Sequence, residues 1–383
     1  MLHTSDWHLG RCLHRVEMLE HQAAFGDHLV DVVRAERVDA VVVAGDVYDR
    51  AVPPVEAVDL LSDLLARLAD HATVVVTSGN HDSPTRLGFG AALMREQVRV
   101  RTRVAQLDQP VVLGDVVIYG VPYLDPTTAR YQLAVGEVVP ERSHEGVLGS
   151  AMDRVRADLA ARPPVRSVVV AHAFVVGGQL SESERDIQVG GSDQVRAGVF
   201  AGVDYVALGH LHAPQEVPGP AGTLLRYSGS PLAYSFAETE PKSSVLVEVG
   251  EQIRTTLVPT PVPRTMSQVS GRLDDLLGAL GEPFVDHWLK VRVTDPDRPP
   301  DMVTRLRRRF VHLLVAEHIP QAEDEAASCT LRSAVPPAQR PGADPVQVAG
   351  DFVAYVSGRE PDAAEAAVLR SAYDDVLAGQ GAR

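Results

Sequence analysis

The amino-acid sequence predicts an α/β protein in which two sheets face each other with helices outside them, followed by a small α+β unit and a C-terminal helical tail. Three observations favour this fold class. In the first half of the chain, short β-branched runs alternate with amphipathic stretches. From Thr223 onward, strand-like runs follow one another closely. Two proline-rich breaks then separate the later segments, and 383 residues suffice for one large domain and one or two small ones.

The composition is that of an ordinary globular protein from a reducing compartment. Hydrophobic residues make up 45% and charged residues 23% of the chain. The sequence contains no apolar run of the roughly 18 residues that a membrane-spanning helix requires. Residues 1–6 lack the basic and apolar regions of a signal peptide. Because Cys12 and Cys329 lie far apart, we expect two free thiols and a cytoplasmic location.

The first strand–helix–strand unit is predicted early in the chain. Residues 39–44 are rich in β-branched side chains and end at a glycine, as expected of a buried strand. Pro53 and Pro54 then open a helix, and residues 73–77 form the next strand. The apolar residues of this helix recur at three- and four-residue steps: Val55, Val58, Leu61, Leu65 and Leu68.

The later strands are also marked by β-branched runs. Residues 111–121 indicate a hairpin that turns at Gly114-Asp115. The other strands predicted in the two sheets span residues 168–170, 205–208, 223–228, 243–249 and 253–258. The early strands alternate with helices whereas the later ones follow one another, and this change predicts two facing sheets.

A proline-rich linker marks the first predicted domain boundary. Pro259, Pro261 and Pro263 stiffen the chain there, so that a first domain spans residues 1–262. A strand, a helix and a second strand are predicted beyond the linker, at residues 287–294, 301–310 and 311–319. They predict a small α+β domain over residues 263–338.

A second proline-rich break, at residues 336–342, separates a tail over residues 339–383. Two amphipathic helices are predicted in this tail because apolar residues share a helical face. The first face contains Val348, Phe352, Tyr355 and Val356, and the second contains Val368, Leu369, Tyr373, Val376 and Leu377.

Side chains of the kinds that bind metal ions follow the predicted strands at their carboxyl ends. They are two Asp, one Asn and five His: Asp6, His8, Asp46, Asn80, His81, His172, His210 and His212. Ligands bind at this edge of open α/β sheets. The set can hold two metal ions around one shared carboxylate, and two divalent ions roughly 3.5–4 Å apart commonly hydrolyse phosphate esters. The pattern therefore predicts a phosphoester hydrolase.

The chemistry of the donors limits the choice of metal. Carboxylate and amide oxygens with imidazole nitrogens suit Mn²⁺, and Fe²⁺, Zn²⁺ and Mg²⁺ are alternatives. The absence of thiolates from the cluster argues against a structural zinc site. Asp46 is the natural bridge, because its carboxylate can give one oxygen to each ion. His172 taken alone would more often be a structural histidine, and it gains weight from its place beside the other ligands.

His81 differs from the other members of the set. It adjoins Asn80, and two neighbours in one tight turn cannot easily bind the same ion. A cationic histidine just outside the ions could protonate the leaving oxygen or stabilise negative charge on the phosphate. We expect the carboxylate of Asp49 to hold His81 and keep it charged. The alternative for Asp49 is a turn or cap residue.

The motifs resemble those of a known family. Asp-x-His occurs at residues 6–8, Gly-Asp-x-x-Asp at 45–49, Gly-Asn-His-Asp at 79–82 and Gly-His-x-His at 209–212. This set resembles the calcineurin-like metallophosphoesterases. The sequences of residues 3–10, 45–50, 78–83 and 227–231 further resemble the SbcD family, the nuclease subunits of bacterial SbcC–SbcD double-strand-break repair complexes. The family pattern begins a couple of residues before Leu2, which predicts a native start slightly upstream.

The resemblance implies roles for domains and residues. It implies a metallophosphoesterase sandwich, a domain over residues 263–338 that caps DNA, and a tail that binds an ATPase. His81 would be the catalytic histidine outside the ligands. One ion would be held by Asp6, His8, Asp46 and His212, and the other by Asp46, Asn80, His172 and His210.

The resemblance also implies an activity and partners. The activity would be that of a Mn²⁺-dependent DNA nuclease, a 3′→5′ exonuclease on double strands and an endonuclease on single strands and hairpins, acting in DNA repair, replication and recombination. The chain would form a homodimer, with a contact near residues 87–94, and a nucleoid-associated heterotetramer with two copies of an SbcC-type ATPase. The sequence lacks an ATP-binding phosphate loop, so any ATP dependence must come from the partner.

The charge of the chain complicates DNA binding. The formal net charge is −15, whereas phosphate binding depends mainly on Lys and Arg. Two divalent ions would add about four positive charges locally. We expect the partner to contribute much of the affinity for DNA. Candidate contacts within the chain are Arg86, Arg307, Arg308 and Arg309. The arginines at 95, 99, 101 and 103 either contact DNA as well or form a plain charged helix face.

Two rival functions use the same residues. A phosphatase that acts on a small molecule or a phosphoprotein could carry the same metal ligands, but it would need neither the cap nor the tail. A non-catalytic scaffold for the ATPase is the second rival, and the complete ligand set argues against it.

Overall fold

The computed structural model describes residues 1–179, 184, 194–238, 240–262, 264–320, 345–357, 359 and 361–380. The chain forms two compact units, Met1–Ile319 and Pro320–Arg383. Pro263, Cys329 and the predicted break at residues 336–342 lie outside the described residues. The domain boundaries at residues 262 and 338 therefore stay predictions.

Strands dominate the first unit. They are β1 (Leu2–Thr4), β2 (Cys12–Leu13), β3 (Val16–Glu17), β4 (Ala40–Ala44), β5 (Thr73–Thr77), β6 (Val98–Arg101), β7 (Val111–Leu113), β8 (Val116–Val121), β9 (Arg166–His172), β10 (Phe174–Val175), β11 (Gln194–Val195), β12 (Tyr205–Gly209), β13 (Gln215–Val217), β14 (Leu224–Tyr227), β15 (Ser243–Val249), β16 (Ile253–Pro259), β17 (Met266–Gly271), β18 (Trp288–Val293) and β19 (Leu313–His318).

The helices cover the strands and form the tail. They are α1 (Leu19–Ala35), α2 (Val55–Ala69), α3 (Pro84–Leu87), α4 (Pro126–Gln132), α5 (His144–Ala160), α6 (Leu273–Leu277), α7 (Met302–Arg309), α8 (Pro345–Ser357) and α9 (Ala363–Gln380). Single 3₁₀ turns occur at Ala91–Leu93, Val104–Gln106, Ala197–Phe200 and Ala279–Phe284.

Two six-stranded sheets make up the large domain. The order is β16-β15-β1-β4-β5-β6 in the first sheet and β13-β14-β12-β9-β8-β7 in the second. In the first sheet β1, β4, β5 and β6 are parallel, and β15 and β16 pair antiparallel at one edge. In the second sheet β14, β12, β9 and β8 are parallel, and β13 and β7 pair antiparallel at the two edges. The carboxyl ends of the parallel strands therefore gather at one edge of each sheet.

The alternation of side chains along β4 explains how the layers pack. Ala40, Val42 and Ala44 face the second sheet and join one core cluster with residues of β9 and β12. Val41 and Val43 face the other way and pack under α1 and α2. Because both faces of the strand are buried, it appears in the sequence as a continuous apolar run. A third cluster lies between the second sheet and α4 and α5, which completes the predicted sandwich with helices outside.

The small α+β unit has its own core. Strands β17, β18 and β19 form a parallel sheet, and α6 and α7 pack on it around Leu276, Leu306 and Phe310. Trp288 at the start of β18 packs with Leu13 and Tyr234, which belong to the large domain. This cluster fixes the cap-sized unit beside the segment that follows β1.

Most of the predicted elements are confirmed, and the misses have physical reasons. Helix α1 was missed because Met18, at its N-cap, makes no side-chain cap hydrogen bond and gives no start signal. Of the two alternatives for the arginines at residues 95–103, the charged helix face is wrong, because Val98–Arg101 is a strand. Its valines are buried under the helices and its arginines are half-buried on the opposite face, where Arg101 lies against Gly120 of β8, so the alternation has the period of a strand. Residues 87–94, where the resemblance implies a homodimer contact, contain the end of α3 at Leu87 and a single 3₁₀ turn at Ala91–Leu93.

The tail unit contains the two predicted helices, α8 and α9, which pack against each other. Asp362 caps α9, because its Oδ1 atom accepts hydrogen bonds of 2.9 Å from the N–H groups of Ala364 and Glu365. Glu365 in turn accepts a 2.9 Å bond from the N–H of Asp362, which completes a capping box. None of the described helices is long and apolar enough to cross a membrane.

The approach of the two sheets predicts a severe effect for one substitution. A Cβ atom on Gly209 would lie 1.9 Å from the carbonyl oxygen of Ala44, in the opposite sheet. We therefore expect Gly209→Ala to destabilise the protein by about 3 kcal/mol or more, because the main chain must move. Gly149→Ala is the matched control, since a Cβ atom there meets nothing within 4 Å. Urea unfolding of both variants measures the difference, and equal midpoints would show that the sheets adjust easily.

Candidate metal centre

The predicted ligands come together where the strands of both sheets end. Asp6 and His8 follow β1, Asp46 follows β4 and Asn80 follows β5 in the first sheet. In the second sheet His172 ends β9, and His210 and His212 follow β12. All seven lie at the edge that the sequence predicts, and the six that are Asp or His are buried.

The loops that carry these residues have unusual main-chain geometry. Asp6, His8, Asp46 and His210 have φ values of 54°, 46°, 48° and 111°, in the region that side chains rarely adopt. The described residues contain eight non-glycine residues with positive φ, so half of them are predicted ligands. Such conformations cost about 1–3 kcal/mol each and persist where the surroundings impose them. The fold therefore holds these side chains in fixed directions.

Main-chain hydrogen bonds join the loops to each other. The N–H of Asp6 donates to the carbonyl oxygen of Gly45 at 3.1 Å, and the N–H of His8 donates to that of Asp46 at 3.0 Å. The N–H of His210 lies 3.1 Å from both carboxylate oxygens of Asp6, which links the two sheets. The ligand loops are thus one connected structure.

One group of donor atoms matches the first predicted ion. One donor atom each of Asp6, His8 and His212 lies within 4.8 Å of the other two. The Nε2 atoms of His8 and His212 are 3.1 Å apart. Two atoms that each lie about 2.1 Å from one ion are about 3–3.5 Å from each other. The two imidazoles therefore have the spacing of ligands that share an ion.

A second group surrounds Asn80. Its Oδ1 atom lies 2.8 Å from Nε2 of His172 and 3.3 Å from Nδ1 of His210. A carboxylate oxygen of Asp46 lies 3.6 Å from Nε2 of His172, and the same oxygen lies 3.8 Å from Nε2 of His8. Asp46 is thus central to both groups, as a bridging ligand must be. Asp6 is also close to Asp46 and His172, so the two groups adjoin.

Hydrogen bonds orient the imidazoles toward the centre. The Nδ1 atom of His172 lies 2.9 Å from the carbonyl oxygen of Ala44, so this nitrogen carries the proton and donates it. The lone pair of His172 is then on Nε2, which faces Asn80 and Asp46. A histidine ligand needs this tautomer.

Without a cation, charge on these groups is unfavourable. Burial, together with the nearby carboxylate of Asp46, raises the pKa of Asp6 well above its usual value. Burial lowers the pKa of His172 to about 4 and lowers that of His8 and His210 well below the ordinary value. A divalent cation would offset the desolvation penalty on the charged carboxylates, and it requires neutral imidazoles as ligands.

The side-chain amide of Asn80 also suits a metal ligand. Its Nδ2 atom is buried with no hydrogen-bond partner among the described residues, and its amide oxygen faces the centre. The donor set fits divalent metal ions.

His81 lies beside the ligands, and its predicted contact with Asp49 needs correction. The Nδ1 atom of His81 is 2.8 Å from the main-chain carbonyl oxygen of Asp49. The Asp49 carboxylate instead lies 3.7 Å from Nδ1 of His8 and 3.6 Å from the guanidinium of Arg11. Nε2 of His81 faces a carboxylate oxygen of Asp46 at 3.8 Å. Residue 49 therefore holds His81 through its main chain, because the tight turn after β4 brings the carbonyl closer than the side chain.

Several residues near the ligands were not singled out from the sequence. Asp82 accepts hydrogen bonds of 2.9–3.1 Å from the N–H groups of Val47, Tyr48 and Gly79 and so ties the loops after β4 and β5 together. Burial, together with Asp46, raises the pKa of Asp82 to about 7. Its position in Gly79-Asn80-His81-Asp82 was the available signal.

A second set of supporting residues comes from the segment after β14. Ser228 contacts Ser5 at 2.8 Å between the two Oγ atoms, and Ser5 donates to Asp6. Glu238 lies against His212, with 3.4 Å between Oε1 and Nδ1. Burial alone would raise the pKa of Glu238, but its bonds with His212 and Lys242 lower it to about 2. Residues 227–231 carry part of the resemblance to the known family. Nothing in the spacing of Glu238 indicates a contact with a metal ligand.

The predicted DNA contacts are more exposed than the buried ligands. Arg86 is exposed on α3, and Arg307 and Arg308 are exposed near the end of α7. Arg309 pairs with Glu282 at 2.6 Å, so part of its charge is already neutralised. Arg307, Arg308 and Arg309 also stand in the last turn of α7, where positive charge favours the helix itself.

Comparison with solved structures gives distant likenesses. TT1561 of Thermus thermophilus aligns with 67% of this chain and 97% of its own chain, at 13% identity and a TM-score of 0.39. The nuclease MPE of Pseudomonas putida aligns with 58% of this chain and 85% of its own, at 16% identity and a TM-score of 0.23. Neither likeness bears on the function.

Comparison of sequences is more informative. Residues 1–214 match the family model of the calcineurin-like phosphoesterases, and residues 262–338 match the family model described as type 5 capsule protein repressor C-terminal domain. A curated relative, the SbcD subunit of the nuclease SbcCD from Staphylococcus saprophyticus, is 31% identical over 282 residues, which cover 72% of this chain and 73% of the relative. The resemblance seen in the motifs is confirmed, and the chain belongs to the SbcD family within the calcineurin-like phosphoesterases.

Proposed function

We propose that this chain is the nuclease subunit of an SbcC–SbcD-type complex and hydrolyses phosphodiester bonds of DNA at a dinuclear metal centre. The observation that carries the proposal is the convergence of seven buried or half-buried oxygen and nitrogen donors from both sheets around Asp46. The relative named a nuclease subunit supports DNA as the substrate. The donor set suits two divalent ions, and Mn²⁺ is the ion that we propose.

The ligands divide into two sets around the bridge. Asp6, His8 and His212 hold one ion with Asp46, and the close approach of His8 to His212 supports this assignment. Asn80, His172 and His210 hold the other ion with Asp46. When bound, two divalent ions polarise the phosphate, activate water and neutralise charge on the departing oxygen.

His81 assists the reaction from outside the ligands. Its Nδ1–H donates to the carbonyl oxygen of Asp49, which leaves Nε2 directed at the centre. From there, as an imidazolium that also carries a proton on Nε2, it gives that proton to the leaving 3′ oxygen or stabilises charge on the phosphate. We assign the carboxylate of Asp49 a different task, which is to place a negative charge between His8 and Arg11 at the edge of the centre.

Because the chain as a whole is acidic, we assign DNA binding to exposed arginines on its surface. Arg86, Arg307 and Arg308 are exposed and suited to phosphate contacts, whereas Arg309 contributes less because of Glu282. The preferred actions are 3′→5′ exonuclease cleavage of double strands and endonuclease cleavage of single strands and hairpins. A cytoplasmic, nucleoid-associated location and a role in DNA repair, replication and recombination follow from this proposal.

The partner is an SbcC-type ATPase bound through the tail. The tail forms a unit of its own, and Val368 on α9 is 68% exposed. A solvent-exposed apolar residue on a helix is suited to packing against a helix of a partner protein. A heterotetramer with two copies of each subunit, and a homodimer contact near residues 87–94 where Phe89 and Leu93 are exposed, belong to the same proposal.

The purified chain should cut labelled DNA only when it can bind metal. With Mn²⁺ added, we expect cleavage of duplexes labelled at the 3′ or the 5′ end, and no cleavage in excess EDTA. Asp46→Ala should lose both Mn²⁺ binding and activity, because Asp46 faces both groups of donors. Asp297→Ala, which removes an exposed carboxylate, is the control.

The labelled ends also report which strand end is degraded first. Cleavage of para-nitrophenyl phosphate without cleavage of any DNA would contradict the nuclease proposal and favour a phosphatase. A chain that neither binds a divalent ion nor cuts DNA would instead favour the scaffold.

Replacing His81 should separate catalysis from metal binding. We expect His81→Ala to bind two Mn²⁺ ions as the unchanged chain does but to cut DNA about 10²–10⁴-fold more slowly, because it loses an acid group. Isothermal titration calorimetry and single-turnover cleavage measure the two properties. His71→Ala, at an exposed histidine, should change neither. Cleavage by His81→Ala at the normal rate would show that the assigned role is wrong.

Removing residues 342–383 should separate partner binding from cleavage. We expect the shortened chain to keep Mn²⁺-dependent nuclease activity and to lose binding to the ATPase in a pull-down. Val368→Asp should weaken the same binding within the full chain, whereas Val262→Asp, at a residue that is 60% exposed outside the tail, should not. Retention of the shortened chain by the ATPase would place the contact elsewhere.

A further inference from the structure

A buried ion pair lies directly behind one of the predicted ligands. Glu238 and Lys242 form a salt bridge, and their side chains are 2% and 4% exposed. The Oε1 atom of Glu238 lies 3.4 Å from Nδ1 of His212, on the side of the imidazole away from His8. A buried ion pair is seldom kept for stability alone, because apolar residues of the same size often stabilise a fold as well.

His212 is held at each of its polar groups. Its carbonyl oxygen accepts hydrogen bonds from Nζ of Lys242 at 3.0 Å and from the N–H of Ser230 at 3.1 Å. Its N–H donates to Glu184 at 2.8 Å. With Glu238 at Nδ1, the main chain and the ring of His212 are both fixed, and only Nε2 faces the predicted ion.

The ion pair is itself fully connected. Nζ of Lys242 donates to Glu238, to Ser230 at 3.0 Å and to the carbonyl of His212, which uses all three of its N–H groups. Glu238 also accepts a hydrogen bond from the N–H of Tyr234 at 3.2 Å. Neither side chain can rotate without breaking several bonds, so the carboxylate oxygen beside His212 has a fixed place.

We propose that Glu238 and Lys242 are positioning residues for the metal centre: Glu238 accepts the Nδ1 proton of His212, which leaves the lone pair on Nε2 for the ion, and Lys242 holds Glu238 in place. A carboxylate behind a histidine ligand fixes its tautomer and orientation and makes it a stronger donor. This inference rests on the proposed metal centre but not on DNA as the substrate.

The neighbouring ligand has a looser arrangement, in which a carboxylate lies near Nδ1 without reaching hydrogen-bond distance. His8 has the carboxylate of Asp49 on its Nδ1 side at 3.7 Å, while its Nε2 atom faces His212. Each histidine of this predicted ion therefore has a carboxylate on its Nδ1 side, but only the contact of His212 with Glu238 is within hydrogen-bond distance. His172 of the other ion is backed by a main-chain carbonyl instead.

Glu238→Gln tests the proposal, because it keeps the size of the side chain and removes the charge. We expect its affinity for one of the two Mn²⁺ ions to fall about 10–100-fold in isothermal titration calorimetry, which is the usual effect of losing such a partner. The matched control is Glu240→Gln, two residues away on an exposed side chain, which should bind both ions as the unchanged protein does.

The tautomer of His212 gives a readout that needs no metal and no activity. In the EDTA-treated protein labelled with ¹⁵N-histidine, we expect His212 to carry its proton on Nδ1, and we expect Glu238→Gln to populate the Nε2–H form. A purely structural ion pair would change the unfolding midpoint of the metal-free protein without moving these imidazole signals. Unchanged signals with unchanged affinity for both ions would overturn the proposal.

A second variant covers the case in which Glu238→Gln does not fold. The double variant Glu238→Gln/Lys242→Gln removes both charges, so that no buried ammonium is left without a partner. It should fold and show the same weakened affinity, and normal affinity in it would refute the positioning role. Failure of both variants to fold would assign the pair to folding of the loop and would also overturn the proposal.

Failure of the metal centre itself gives a different result. If the unchanged protein bound no Mn²⁺, the proposed function would fail, whatever the variants did. If the unchanged protein bound two ions and Glu238→Gln bound them equally well, only the positioning role would fail.

Discussion

The metal centre depends on the contact between the main chains of the two sheets at the carboxyl ends of their strands. Gly209 in β12 lies so close to Ala44 in β4 that no side chain fits between them. Within the first sheet, Gly79 lies as tightly against the loop after β4, since a Cβ atom there would lie 2.3 Å from the main-chain nitrogen of Asp46. This contact brings loops from both sheets within reach of one another. Donors that are far apart in the sequence can then share an ion.

The same contact explains why the centre needs cations. Loops packed main chain to main chain exclude water, so carboxylates and imidazoles there are desolvated. The raised pKa of Asp6 and the lowered pKa of His172 both express the cost of charge in this place. Two divalent ions would remove that cost, because they need carboxylate and neutral imidazole as ligands. The fold and the cofactor are therefore matched in their electrostatics.

The sequence predicts the ligands well because they follow recognisable strands. Residues 40–44 are buried on both faces and leave a plain apolar run, so the position of Asp46 can be deduced. The residues that hold the ligands in place are harder to predict from the sequence. The contact of His81 with residue 49 depends on the course of a tight turn, which decides between carbonyl and carboxylate. Glu238 contacts His212 although 26 residues separate them in the sequence. A contact over such a separation leaves no periodic pattern from which it could be predicted. Strand β6 was misjudged because four spaced arginines suit a helix as well as an edge strand.

The cap-sized unit is connected to the metal ligands through a short chain of contacts. Trp288 of the cap packs on Leu13 and Tyr234. The hydroxyl of Tyr234 donates to the carbonyl oxygen of Trp7 at 2.6 Å, and the carboxamide of Gln22 bonds both this hydroxyl and the carbonyl of His8. Because Trp7 separates two ligands, a displacement of the cap would be transmitted to the loop that holds them. The position of His8 therefore depends on how the small unit packs against Leu13 and Tyr234.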